Sequence, residues 1–168
     1  MPTHRSIFRK LFYWLCNFTG MRGNSMQSQR IIMNFTVPPS LEDVEDLATA
    51  AWENLPEELL SRCDELSITV EDTVDDTTMD DLDIDDAYEL LALYKNGKEI
   101  SPGVERKVAN DDDVLVFYRR PLLDMWCETQ DDLLGLIRQV MIEELGRHFE
   151  FSDDDIEEMA ERHYQGML

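Results

Sequence analysis

A helix-length apolar stripe near the C-terminal end constrains this chain more than any other feature. Leu133 or Leu134, Ile137, Met141 and Leu145 recur at three- and four-residue spacing, which gathers side chains on one face of an α-helix. Thr129 with Asp132 three residues on predicts a capping box of the Asp variety at its start. Gly146 weakens the helix interior by about 1 kcal/mol relative to Ala. The same helix carries Glu143, Glu144, Arg147 and His148. Glu143 and Arg147 stand at i and i+4, an ion-pair spacing with the acid in the better, N-terminal position. Glu144 and His148 form a second i, i+4 pair, rotated by about 100° from the first.

The remaining elements supply a cover for that helix. After Pro38-Pro39, Ser40 is a good N-cap with Asp43 at the third helical position, and Leu41, Val44, Leu47, Ala48, Ala51, Trp52 and Leu55 continue as an apolar stripe up to Pro56. Leu66, Ile68 and Val70 alternate with Ser67 and Thr69, which predicts a half-buried strand. An acidic loop is expected from Glu71 to Asp86. Leu90 to Tyr94, Asn96-Gly97 and Lys98 to Ile100 read as a hairpin, because Asn-Gly suits the positive φ angles of a type I′ turn. Val114 to Tyr118 is the strongest strand signal, with Pro121 expected to stop its ladder. Ser152 with Asp155 opens a terminal helix carrying Ile156, Met159 and Tyr164. These elements predict an α+β domain, a small sheet packed on the helix of residues 130 to 148, spanning residues 33–168.

Residues 1–32 differ from that domain. They hold Arg5, Arg9, Lys10, Arg22 and Arg30 with no acidic residue, leaving residues 33–168 with 10 basic against 37 acidic side chains, a net charge of −27. An acidic surface repels phosphate backbones, so nucleic-acid binding by the domain is not expected; solubility, cationic partners or divalent cations are. In the extension, Ile7, Phe8, Leu11, Phe12, Leu15 and Phe18 make one helical stripe beside the basic residues. Three readings stay open: an unstructured or mis-assigned stretch before a true start at Met33, a basic amphipathic helix on an anionic membrane surface, or a poor signal peptide. No run approaches the ~18 apolar residues of a membrane-spanning helix, and Cys16, Cys63 and Cys127 lack disulfide or ligand spacing, so a cytoplasmic, reducing setting is expected.

Two candidate metal motifs are testable on spacing. Asp81-Leu82-Asp83-Ile84-Asp85 begins like a calcium loop, yet Asp86 and Ala92 stand where an EF-hand needs Gly and Glu. The helix itself fits an H-E-x-x-H frame, in which two imidazoles at i and i+4 grip one zinc and the intervening Glu activates a bound water. Laid on that frame, Glu143 takes the first His position, Glu144 the catalytic Glu position and Arg147 the second His position.

Four blocks, Leu66 to Asp72, Leu90 to Tyr94, Val116 to Leu123 and Glu143 to Phe149, resemble in order those of the bacterial minimal zincin-like metallopeptidase family. The last block of that family resembles H-E-x-x-H-H-F-G-x-x-D. The resemblance implies a compact zincin-like domain, a zinc cofactor, Glu144 as general base, and Glu143, Arg147 and Asp153 at the ligand positions. It matches His148 to the second, non-ligand His, and places Glu150 at the Gly position. It further implies that the strand of residues 114 to 118 is a sheet edge beside the cleft, able to hold an extended peptide by strand addition.

Chemistry divides those implications. Glu143 and Asp153 can bind a metal, but Arg147 offers no lone pair and stays protonated, so it repels a cation from the second ligand position. A Glu143–Arg147–Asp153 charge cluster in place of the metal is therefore expected, in a peptide- or protein-binding relative of the peptidases. The alternative is a metal-dependent hydrolase whose carboxylates, Glu143, Glu144 and the run from Asp153 to Asp155, hold a harder ion such as Mg²⁺, Ca²⁺ or Mn²⁺. His148 with Glu144 is a possible secondary pair.

Overall fold

The computed structural model describes residues 37–63, 66–96, 113–129 and 132–165; the N-terminal extension and the second hairpin arm, Lys98–Ile100, lie outside the described residues. The first described helix, α1 (Leu41–Trp52), starts as its sequence dictates. Ser40 Oγ accepts the Asp43 N–H at 3.1 Å while Asp43 Oδ2 accepts the Ser40 N–H at 2.7 Å, a complete capping box. Val44, Leu47, Ala48 and Ala51 are buried; Leu41, at the stripe's start, is exposed. Pro56 caps a short helix, α2 (Glu57–Leu60).

Three strands follow: β1 (Ser67–Glu71), β2 (Ala92–Lys95) and β3 (Val114–Tyr118). Their order is β1-β3-β2, with β1 parallel and β2 antiparallel to β3. Strand β3 is therefore central and paired on both sides, not the edge that the family resemblance implied. Its place is set by partners far along the chain, and its unbroken apolar run fits a strand covered on both faces. Leu115 and Phe117 face the main core with Val70, Ala92 and Tyr94, under α1 and the long helix α5 (Leu133–His148). Val116 and Tyr118 face the opposite side, under Val74, Met79, Ala87 and Leu90. The β2 pairing with β3 runs to Lys95 opposite Val114; the hairpin expected through Asn96-Gly97 lies beyond it, with its second arm outside the described residues.

Three more expectations need correction. The acidic segment is not one loop: Asp75 caps a helix, α3 (Asp76–Leu82), by accepting the Thr78 N–H at 2.9 Å, and Asp83 ends it at φ 53°. A 3-10 turn, Ala87–Glu89, follows. Short acidic side chains that cap helix starts read as loop residues when only their charge is weighed. Pro121 does not stop the β3 ladder, which already ends at Tyr118; it sits in the first turn of α4 (Arg119–Thr129), where a missing N–H costs no helical bond. Thr129 closes α4 instead of opening α5, and Asp132 is itself the N-cap, its Oδ2 accepting the Gly135 N–H at 3.0 Å.

The strand-to-helix junction is tied by charge. Asp72, just past β1, accepts from Arg119 Nη1 at 2.9 Å and pairs with Arg120 Nη2 at 2.7 Å, while Arg119 Nε also donates to the Pro39 carbonyl. The two guanidiniums, Arg119 first through its hydrogen bond, hold the Asp72 carboxyl below its ordinary range. Thus the start of α1, the end of β1 and the start of α4 converge on Arg119. Among the described residues, no helix is long and apolar enough to cross a membrane.

Candidate functional site

The buried face of helix α5 divides Glu143, Glu144, Arg147 and His148 between two flanks. Leu136, Ile137, Val140, Met141 and Leu145 anchor the helix on the sheet, so the flank carrying Glu144 and His148 lies against β2. The flank carrying Gln139, Glu143 and Arg147 is a second line at i, i+4, i+8 spacing.

On the first flank, Tyr94 is the centre. Its backbone N–H donates to Glu144 Oε1 at 2.9 Å, and its phenol donates to Asp113 Oδ2 at 2.7 Å. Its ring stacks on His148 with centroids 3.5 Å apart and planes 14° from parallel, and meets Phe149 edge-on at 5.9 Å. The group in the general-base position is thus engaged by the main chain of β2, and His148 is a half-buried, stacked ring.

On the second flank, Arg147 Nη2 lies 3.5 Å from Glu143 Oε2, and Gln139 Nε2 donates to Glu143 Oε1 at 3.1 Å. The Glu143 side chain is only 18 % exposed. Burial pushes its carboxyl above the ordinary value of 4.5, and the opposing pull of Arg147 and Gln139 does not reverse that. Asp153 stands exposed in the first turn of α6 (Asp153–Gln165). Among the described residues, no three His, Cys, Asp or Glu side chains gather so that they could hold a metal ion. A zinc ion needs such a donor set, and Arg147 cannot complete one.

The turn after α5 fixes the approach to α6. Phe151 N–H donates to the Gly146 carbonyl at 2.9 Å and Glu150 N–H to the Arg147 carbonyl at 3.1 Å, the two bonds of a Schellman ending. Glu150 takes the left-handed position at φ 60°, where the resembling family motif has Gly. Arg62 braces this turn, donating to the Phe149 carbonyl at 3.1 Å with its guanidinium 4.5 Å from the Phe151 ring centre. A Cβ at Gly146 would lie 2.7 Å from Ile156 Cγ1, so the glycine admits α6 against α5.

An α+β domain in which a small mixed sheet packs on one long helix bearing the Glu143–Arg147 pair is consistent with a zincin-like domain. The family model described as Zincin-like metallopeptidase matches residues 63–163, and the chain belongs to that family. No curated protein matches it. The match starts after α1, although that helix buries its apolar stripe in the same core.

Sequence reasoning brought Glu143, Glu144, Arg147 and His148 onto one helix correctly but gave Tyr94 no role beyond its strand. The available signal was the strand's parity. A tyrosine on the buried face of a strand beside a helix must find a partner for its phenol and a surface for its ring. Gln139 was also legible, four residues before Glu143 on the same line.

Proposed function

We propose that this zincin-like domain binds extended peptide or protein segments and does not hydrolyse them with zinc. The observation that carries the reading is the Glu143–Arg147 pair, 3.5 Å apart, standing in the two positions that an H-E-x-x-H frame gives to zinc ligands. A permanent cation occupies the place from which zinc would polarise a carbonyl, so Lewis-acid hydrolysis has no centre there. Glu144, in the base position, spends its Oε1 on the Tyr94 N–H. What the scaffold retains is a strand flanked by a helix, set in a strongly acidic domain, a combination suited to cationic segments and unsuited to nucleic acid. The reading also assigns exposed Asp153 to Arg147, as the third member of a charge cluster standing in for the metal. The carboxylate-rich hydrolase is the weaker reading, because Glu143 is committed to Gln139 and Arg147.

Calorimetric titration with zinc tests the reading on the intact chain. The wild type is expected to give no specific zinc heat, while Glu143→His combined with Arg147→His restores a site on an unchanged fold, as read by circular dichroism. Stoichiometric zinc binding by the wild type, with peptide cleavage lost in Glu144→Ala, overturns it.

A further inference from the structure

The second face of the sheet lies under a strongly acidic stretch. Residues 73–90 hold seven Asp and one Glu and no Lys or Arg. Among the described residues none of those carboxylates makes an ion pair. The Thr78 hydrogen bonds, and last the charge of Lys95, lower the pKa of Asp75. Helix α3 is poorly set to bear this charge. Its seven residues fall short of the length at which a helix holds by itself, and none of them is buried. Asp76 and Asp80 repel at i and i+4, and the last turn, at the negative end of the helix dipole, carries Asp80 and Asp81 and no basic residue.

What lies beneath the stretch is incompletely satisfied. Tyr118 is fully buried, and its phenol finds no hydrogen-bonding partner among the described residues. Burial first, then the charges of Glu71, Asp75 and Glu144, push the phenol pKa up, so it keeps a proton that has no acceptor. A buried hydroxyl in that state carries its full desolvation cost. Val74, Met79, Ala87 and Leu90 hold the stretch against Val116 and Tyr118. It is fastened at both ends, by Asp72 to Arg119 and Arg120, and by the Leu91 carbonyl to the Tyr118 N–H. Between the fastenings a small apolar hold works against internal repulsion and an unsatisfied group.

We propose that residues 73–90 are a charge-sprung strap: they lift from Val116 and Tyr118, ahead of global unfolding, when their carboxylates are unscreened, and close when salt or a polycation neutralises them. Lifting lets the carboxylates separate and the phenol reach water, at the expense of the contacts of Val74 and Met79. Glu143 and Arg147 take no part, because α5 packs on the other face of the sheet. The acidic domain thereby responds to the cationic charge around it.

Amide hydrogen exchange, read by NMR on the full chain, tests the strap. The Met79, Ile84 and Glu89 amides, each bonded within the strap, are compared with those of Val116 and Phe117 in β3. After correction for sequence, the strap amides in low salt exchange about tenfold faster than those of β3, as a separately opening element does. Raising NaCl to about 0.5 M, or adding octalysine at fixed ionic strength, slows the strap several-fold more than β3. Combining Asp80→Asn, Asp81→Asn and Asp85→Asn slows it in low salt and removes most of the salt response. Tyr118→Phe keeps the ring, deletes the unpartnered hydroxyl, and slows strap exchange about tenfold. Strap and β3 amides that exchange together overturn the strap as a separate element. Strap exchange indifferent to salt, to octalysine or to the Asn substitutions overturns the charge drive, and unchanged or faster exchange in Tyr118→Phe overturns the part given to the phenol.

Discussion

Glu150 adopts φ 60° at the end of α5, a conformation that costs an L-residue roughly 1–2 kcal/mol and a glycine almost nothing. Its side chain is exposed, and an exposed contact of a carboxylate returns only a few tenths of that. Glu150→Gly is therefore expected to stabilise the domain by about 1 kcal/mol, seen as a higher urea midpoint with an unchanged slope. Four residues earlier the sign reverses. Gly146→Ala gains about 1 kcal/mol of helix propensity, but its Cβ would stand 2.7 Å from Ile156 Cγ1, and a β-branched side chain on a helix has little rotamer freedom with which to retreat. Overpacking of about 1–3 kcal/mol wins, so the variant is less stable by urea denaturation, and Ile156→Ala in the same chain recovers part of the loss.

At the scale of elements, the pH response has two limbs of opposite sign. Asp72, clamped by Arg119 and Arg120 between β1 and α4, titrates below its ordinary 3.8. Its contribution is complete above that value and is lost as pH falls through the lower folded value. Glu143 on α5 titrates above its ordinary 4.5, because burial disfavours the ion. The folded chain holds that proton more tightly than the unfolded one, so stability declines as pH rises from 4.5 through the raised folded value. Stability curves against pH should therefore lose their acid limb in Asp72→Asn, whereas Glu143→Gln removes the decline just above it. A wild-type curve unchanged by either substitution contradicts the assignment.

For the whole molecule, the sequence made some elements plain and concealed others for identifiable reasons. The capping boxes at Ser40 and Ser152 and the stripes of α1 and α5 stood out because side-chain caps and helical period are local properties. Helix α4 was hidden because its start follows β3 without a break and Pro121 reads as a stop; only the tertiary anchor on Asp72 separates the two elements. The central place of β3 was likewise nonlocal, since strand order depends on partners far along the chain. At the site, the i, i+4 pair of Glu143 and Arg147 was legible from spacing, while the convergence of Glu144 and His148 on Tyr94 required the register of a strand 50 residues away in sequence from Glu144. The proposal that follows is that, in this zincin-like domain, the Glu143–Arg147 ion pair stands in place of a zinc centre. Elemental analysis of the full chain, purified without chelator or immobilised metal, tests it most directly. The account predicts no stoichiometric zinc; one zinc per chain, removed by chelation together with a peptide-cleaving activity, would contradict it.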